Sequence, residues 1–553
     1  MSSSVSSAVD VPSALLIIAS VIVAIYVPSL ISYLRAWFIL QRIPSPPVDS
    51  IFSGHAKSLT QLKRHKYEQR CIETAGKPVY RLRVFNKYRV VIADPNLLQE
   101  LFAAEREGAL EKPDEQPFPI GHGKPETNVF SDKTSSPLWK LVRKGTAPAF
   151  QAVNMRQFHN HVVAVVDRLI EGIKAKGSGA VVDFGDIGQR ESFDVIGMVG
   201  FGKDFRASRN IDDKTTNTCA LITSFLQEAV LRAGNPMRKF WRSKAVIAAE
   251  EDAQRLANVL EELVVDCQKR QPTAGDDKSI SSHLLRLRDA EGRQLSFRRL
   301  VQEFFIFFLA GSETTGHTIA WTLYFLAKNP EAMAKLEAEL AEAGLLVTPA
   351  NPTPRAFTFA DIGKLHYLDR VIKESMRLQP VAASPLTRVA TRDLRLSDGT
   401  VIPAGVTVEA AQYTPMRDER WGWHRGSDFI PDRWEEADME YHVRSAPAAV
   451  GAQNGKATAQ TSEEDLEIDA QVVSEHKVRR FNPFGQGLRN CLGQQLARMN
   501  VPTAVAMFVS NFKLELTPED AKKSIEELEI LKGTLQPNNG IHMICRPRTC
   551  NEE

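Results

Sequence analysis

The stretch from Val301 to Lys328 most constrains how this chain can fold. It contains Phe304-Phe305-Ile306-Phe307-Phe308-Leu309, then the small-polar segment Ala310-Gly-Ser-Glu-Thr-Thr315, and it stops at Asn329-Pro330, where proline ends a helix. A helix that is apolar on most sides has no face to give to water, so it must cross the centre of a large body. The 553 residues, 43% hydrophobic and 25% charged, are ordinary for a globular chain with such a core. Length alone would allow several domains, but single large folds of this size exist. Within the run, Gly311 can be a tolerated glycine and Thr314 a hydroxyl bonded back to its own helix. Glu313 is different, because a carboxylate in an apolar helix is costly unless it has a partner or a task.

A second signal is the run Phe484-Gly-Gln-Gly-Leu-Arg-Asn-Cys-Leu-Gly493, which reads F-x-x-G-x-R-x-C-x-G. Its glycines allow a tight loop whose backbone approaches a ring system closely, and Gly493 opens a helix beyond it. One thiol, Cys491, stands at the tip with backbone N–H groups able to point at it. That presents a single sulfur to a flat iron cofactor. Buried cysteines are usually inert small hydrophobes. Cys71, Cys219, Cys267, Cys545 and Cys550 read that way, with no C-x-x-C pair and no zinc-type spacing.

Two shorter patterns align side-chain pairs on helix faces. Glu374-Ser-Met-Arg377 puts a carboxylate and a guanidinium at i and i+3 of a helical stretch, Tyr367 to Leu378, that ends before Pro380. Trp139-Lys-Leu-Val-Arg143 aligns an indole and a guanidinium at i and i+4. Alone, a Glu-x-x-Arg pair is usually a surface ion pair worth about 0 to 1 kcal/mol.

Taken together and in this order, the motifs resemble the cytochromes P-450, the haem-thiolate monooxygenases, over roughly Pro44 to Pro547. The resemblance implies a mainly α fold with a small β region, and haem b held by a thiolate. Cys491 would be the metal ligand, with Phe484 beside the sulfur and Gly487 and Gly493 shaping the loop. Trp139, Arg143, Arg388 and Arg489 would reach the haem propionates. Ala310 and Gly311 would flank the oxygen pocket, Glu313 would relay protons and Thr314 would hydrogen-bond the bound oxygen. Phe429-Ile-Pro-Asp-Arg-Trp434 resembles the family's F-x-P-E-R-[FW] segment, so Glu374, Arg377 and Arg433 would form a structural triad. Asp432 stands where glutamate is commoner. Asn500, followed by Pro502, stands where the helix after the cysteine often carries a glutamate. Phe118, Ile120, Phe130, Phe305, Ala383 and Pro385 lie in segments the family uses for substrate recognition, though apolar residues there equally suit packing.

The implied activity is insertion of one oxygen atom from O2 into a lipophilic small molecule. No flavin or nicotinamide motif occurs, so electrons would come from a separate NADPH-cytochrome P-450 reductase, with Lys140, Lys144 and Arg498 as contacts. The alternatives are an oxygen-independent hydroperoxide isomerase or dehydratase of the same fold, which would need no Glu313-Thr314 relay, and a non-catalytic haem carrier or sensor. Net charge +2 and an isoelectric point near 8.1 carry no nucleic-acid signature.

The ends of the chain read as accessory. From Val11 to Leu34 no side chain is charged, and at about 1.5 Å per residue this stretch spans about 36 Å, enough to cross a bilayer. Asp10 precedes it, whereas Arg35, Arg42, Lys57, Lys63, Arg64 and Lys66 follow, so the body should face the cytosol. The expected division is a leader with a transmembrane helix over 1–42, a proline-rich linker over 43–50, a catalytic domain over 51–547 and a polar tail over 548–553. A single-pass anchor in the endoplasmic reticulum fits this pattern; the competing readings are a cleaved secretory signal, whose basic n-region is missing, and a serine-rich organelle transit peptide, whose arginines are absent. Val79 to Phe85 and Tyr88 to Ile92 alternate like strands around an Asn86-Lys87 turn, and Leu394 to Val408 should return to that sheet. Residues 435–477, rich in Ala, Gln, Ser, Glu and Asp, read as a disordered surface insertion, with a docking element as the alternative.

Overall fold

The computed structural model describes residues 27–28, 30–59, 63–113, 126–212, 218–234, 243–270, 278–435, 440–442 and 477–548, together with Ser20, Arg238 and Phe240. The N-terminal part holds helix α1 (30–40), α2 (Ala56–Leu59), α3 (Arg64–Ala75), the hairpin β1 (Val79–Val84) and β2 (Lys87–Ile92), α4 (Pro95–Arg106) and β3 (Leu110–Glu111). The helical body follows with α5 (Pro137–Thr146), α6 (Ala152–Ala175), β4 (Ala180–Asp183), α7 (Phe184–Phe201), α8 (Thr218–Gly234), α9 (Lys244–Arg270), α10 (Ile280–Arg286), α11 (Phe297–Lys328), α12 (Pro330–Glu342), α13 (Phe359–Ile362) and α14 (His366–Leu378). Short strands β5 (Leu386–Ala390), β6 (Leu394–Arg395), β7 (Val401–Ile402), β8 (Thr407–Ala410), β9 (Glu440–His442) and β10 (Lys477–Arg479) lead to α15 (Gln494–Asn511). Strands β11 (Phe512–Leu516), β12 (Glu529–Lys532), β13 (Thr534–Pro537) and β14 (His542–Pro547) close the chain.

The central helix is α11, and it begins four residues before the apolar run. The Ser296 hydroxyl accepts the Arg299 N–H at 3.0 Å. Arg299 in the added turn is polar but buried: it bonds Glu303 at 2.7 Å and Asp132, so its charge is neutralised inside the protein. Apolar periodicity cannot register a turn built on an ion pair.

Helix α7 lies against α11 through small residues at four-residue intervals. A Cβ on Gly316 would sit 2.6 Å from the Gly188 carbonyl oxygen, and one on Gly311 would sit 2.7 Å from Ile196 Cγ1. Between them, the Ser192 hydroxyl donates to the Ser312 carbonyl at 2.7 Å. Absent side chains thus set the distance between the two backbones. Phe193, Phe201, Phe205, Phe304 and Phe308 seal one end, with ring centroids 4.7 to 5.1 Å apart.

Helix α15 runs unbroken through Pro502, packs against α6 and α11, and meets α7 through Asn500 and Phe508. Asn500 does not leave this interface without a carboxylate: it donates at 3.2 Å to Glu191 on α7, whose fully buried carboxyl is pushed well above its ordinary range by desolvation. Asp432 makes an exposed ion pair with Lys335 on α12 at 2.7 Å.

The main sheet has the order β1-β2-β8-β5-β3, with β2 and β8 parallel and the other pairs antiparallel. The β1–β2 turn falls on Phe85-Asn86, one residue earlier than expected, with Phe85 at φ 52° and Val84 opposite Lys87. The return is made by β5 and β8, while β6 and β7 pair with each other. Distant ends of the sequence also meet. His65 bonds Glu529 at 2.9 Å across a separation of 464 residues, and β4 pairs with β14.

The ends of the expected insertion pair as β9 and β10, and residues 443–476 lie outside the described residues. Most of the apolar leader lies outside them too. No helix among the described residues is long and apolar enough to cross a membrane. In the expected polar tail, Arg548 is tied to the Val509 carbonyl at 2.9 Å and to Glu337.

Candidate active site

The cysteine loop is held by its own backbone and by α4. The Cys491 N–H donates to the Phe484 carbonyl at 2.9 Å, and Gly485 and Gly487 take φ of +72° and +74°. At Gly487 a glycine is required twice, since a Cβ would also lie 2.4 Å from Glu105 Oε2 and 2.7 Å from Phe102 Cδ1. The Cys491 sulfur is accessible although protein surrounds it at depth. Burial pushes its thiol up, opposed by the Gly493 backbone N–H and the Arg143 guanidinium. Gly493 caps α15. Phe484 places its ring beneath the Arg498 guanidinium at 5.8 Å.

Three arginines gather beside this loop. Arg489 donates to the Val129 and Phe130 carbonyls at 2.9 Å and to the Thr134 hydroxyl at 3.2 Å, and it lies 4.8 Å from the Trp139 ring centroid. Arg143, on the same helix as buried Trp139, donates to the Asn490 carbonyl at 3.1 Å and to its side-chain oxygen. Arg388 pairs with Glu105 at 2.5 Å. Burial, together with the Arg388 and Arg143 charges, pushes Arg489 down to about 10. Among the described residues, Arg143 and Arg489 hydrogen-bond only neutral oxygens, so the group carries positive charge in excess.

On α11, Ala310 is exposed and Gly311 and Thr314 are half-buried, although their neighbours in the helix are buried. Phe150 joins this stretch to the cysteine loop: its ring stacks on Phe307 with centroids 6.2 Å apart and stands 3.8 Å from the Cβ position of Gly493. The Thr314 hydroxyl donates to the Ala310 carbonyl at 2.7 Å. Glu313 faces the other way. It accepts from the Thr534 hydroxyl at 2.8 Å, and burial pushes its carboxyl up to about 7 against that hydrogen bond.

A sequence model of the cytochrome P450 family matches residues 44–544. The chain belongs to the cytochrome P450 family. Its relatives are distant. It is 24% identical over 493 residues to carotene epsilon-monooxygenase, chloroplastic, of Arabidopsis thaliana, covering 84% of this chain and 79% of that protein. Cytokinin hydroxylase of the same plant is 27% identical over 428 residues, covering 74% and 70%. Cytochrome P450 3A6 of Oryctolagus cuniculus is 24% identical over 471 residues, covering 82% and 81%. This P450 is thus a haem-thiolate monooxygenase with haem b as its cofactor.

The residues present fit that cofactor. One accessible sulfur carries a backbone N–H, and guanidinium groups without carboxylate partners suit the two carboxylates of a porphyrin rim. The Glu374, Arg377 and Arg433 cluster of this P450 is assembled, with Glu374 and Arg377 buried and Arg433 half-buried. Glu374 accepts from Arg377 Nε and Nη2, Arg433 Nε, the Ile430 N–H and Trp434 Nε1, each at 2.9 Å. Arg377 also holds the Met416, Gly426 and Asp428 carbonyls.

Several contributors had no sequence signal. Glu105 orients Arg388 and excludes a side chain at Gly487. Thr534 reaches Glu313 from 221 residues away. His317, four residues after Glu313, was open to discovery by helical spacing. Of the apolar pocket candidates, Phe118 and Ile120 lie outside the described residues and Phe130 is half-exposed. Phe305 is fully buried edge-on to Phe225, and Ala383 and Pro385 are buried.

Proposed function

We propose that this P450 inserts one oxygen atom into a lipophilic small molecule, using electrons from a separate NADPH-dependent reductase. The observation that carries the reading is the meeting of Cys491, the Arg143, Arg388 and Arg489 group, and the accessible face of α11. Cys491 ligates the iron, and the three arginines and Trp139 seat the haem rim. When bound, the haem supplies oxygen activation, which a thiolate ligand favours.

The protein's own side chains govern protons and water. Glu313 holds a proton near neutrality and passes it toward Thr314, whose hydroxyl stands on the accessible face. Proton transfer of this kind is worth roughly 10²- to 10⁴-fold. The phenylalanines of α11 exclude bulk water from the helix around that pair. The Glu374, Arg377 and Arg433 network scaffolds the region and performs no chemistry.

Lys140, Lys144 and Arg498 are exposed on α5 and α15, the helices flanking the cysteine loop, and they offer charge to an acidic redox partner. Leu30, Ile31, Leu34 and Phe38 on α1 stand 50 to 71% exposed, and Ile51, Phe52 and Phe85 stand 62 to 89% exposed. These apolar surfaces support a protein seated on the endoplasmic reticulum membrane by its N-terminal anchor, with the catalytic body in the cytosol.

The test is Cys491→Ser in the full-length, haem-loaded protein. The variant is expected to lose the red-shifted thiolate band of the reduced carbonyl complex. An unchanged band would refute the ligand assignment.

A further inference from the structure

The Glu313 carboxyl is the end of a directed chain of hydrogen bonds. Gln189 Nε2 lies 2.7 Å from His317 Nε2. With the Gln189 amide in this orientation its nitrogen only donates, which assigns the acceptor role to His317 Nε2 and the proton of the neutral ring to Nδ1. Nδ1 lies 3.2 Å from the Thr534 hydroxyl oxygen. That oxygen receives the imidazole N–H and turns its own hydrogen to Glu313 Oε2, 2.8 Å away.

The architecture keeps these groups in line. Glu313, His317 and Trp321 follow one another at four-residue intervals on the face of α11 that meets β13, and Trp321 Nε1 donates to the Leu535 carbonyl at 3.2 Å. The close crossing at Gly188 and Gly316 puts Gln189 beside His317. Glu313 and His317 are 2% and 4% exposed, so water does not replace these partners. Among the described residues no charged group acts on either: burial and the Thr534 hydroxyl act on Glu313, and burial alone, pushing it down to about 3, acts on His317.

We propose that Thr534 and His317 are positioning residues for Glu313: through its Nδ1–H form, His317 commits the Thr534 hydroxyl to Glu313 Oε2 and so fixes where that carboxyl waits and how readily it takes a proton. The inference rests on the reading of Glu313 as the proton-delivering acid. The β12–β13 hairpin then belongs to the proton apparatus, and Glu313 must leave Thr534 before it can turn toward Thr314. A purely structural bridge between α11 and β13 would hold the hairpin without controlling the titration.

The full-length haem-loaded protein provides the test. Infrared difference spectra, with the carboxyl band assigned by its loss in Glu313→Gln, give the titration midpoint of Glu313. Removing one donor to a carboxylate raises that midpoint, by roughly one pH unit in Thr534→Val. Thr534→Ser is expected to restore the parent value, and His317→Leu to give a smaller rise. An unshifted midpoint in Thr534→Val overturns the proposal. Nitrogen chemical shifts of labelled histidine in the unaltered protein give a second readout, and an Nε2–H tautomer at His317 also overturns it. If Glu313→Gln couples electron uptake to product as the parent does, the role of Glu313 itself fails, whatever the titrations show.

Discussion

Replacing Glu374 by glutamine keeps its shape and removes its charge, and the consequence can be worked from five hydrogen bonds. Three donors converge on Oε1 and two on Oε2, all at 2.9 Å. A glutamine can keep its oxygen toward the three, but its NH2 then faces Arg377 Nε and Trp434 Nε1, two groups that also only donate. Arg377 is fully buried and left without its carboxylate. Breaking a buried pair from one side costs about 3 to 5 kcal/mol, a large part of the roughly 5 to 15 kcal/mol that holds a domain. Trp434→Phe removes one donor and strands no charge, so it is expected to cost about 1 to 2 kcal/mol. Urea unfolding followed by circular dichroism and haem absorbance compares the two, with equal slopes required before the midpoints are read. If Glu374→Gln is no more costly than Trp434→Phe, the carboxylate is not what holds Arg377 and Arg433, and the scaffold reasoning is wrong.

Two further outcomes follow from the geometry. Gly316→Ala sets a methyl group 2.6 Å from the Gly188 carbonyl oxygen, so α7 and α11 must separate; a loss of about 1 to 3 kcal/mol is expected in thermal or urea unfolding, whereas Gly363→Ala, which meets nothing within 4 Å, should be close to neutral. Asp361 is held down to about 2, first by its bidentate hydrogen bonds from Arg355 at 2.7 and 2.8 Å. A depressed folded-state value means the stabilisation is present above the unfolded carboxylate range and fades as pH falls toward 2, so the stability advantage over Asp361→Asn should shrink between about pH 4 and pH 2.

What was legible in the sequence was whatever repeats locally. The apolar period of α11, the glycine spacing around Cys491 and the i, i+3 placement of Glu374 and Arg377 are all short-range, and each points to a segment the structure forms. The first turn of α11 was hidden because Arg299 and Glu303 are buried as a pair, which hydropathy scores as surface. Strand β4 was hidden because its four residues gain strand geometry only by pairing with β14. Glu105 and Thr534 were hidden for the same reason at longer range: nothing in an amphipathic helix or a hairpin announces which distant side chain it will touch. Asn500 looked anomalous on its own helix, and only the packed neighbour α7 supplies the missing acid as Glu191.

The bond from His65 to Glu529 has a consequence for biosynthesis. Its two halves are 464 residues apart, and at roughly 5 to 20 residues per second a ribosome separates their appearance by roughly 25 to 90 seconds. Throughout that interval α3 is without one of its buried partners, and β4 waits equally for β14. Closure of α3 and β4 therefore waits until Glu529 and β14 have left the ribosome.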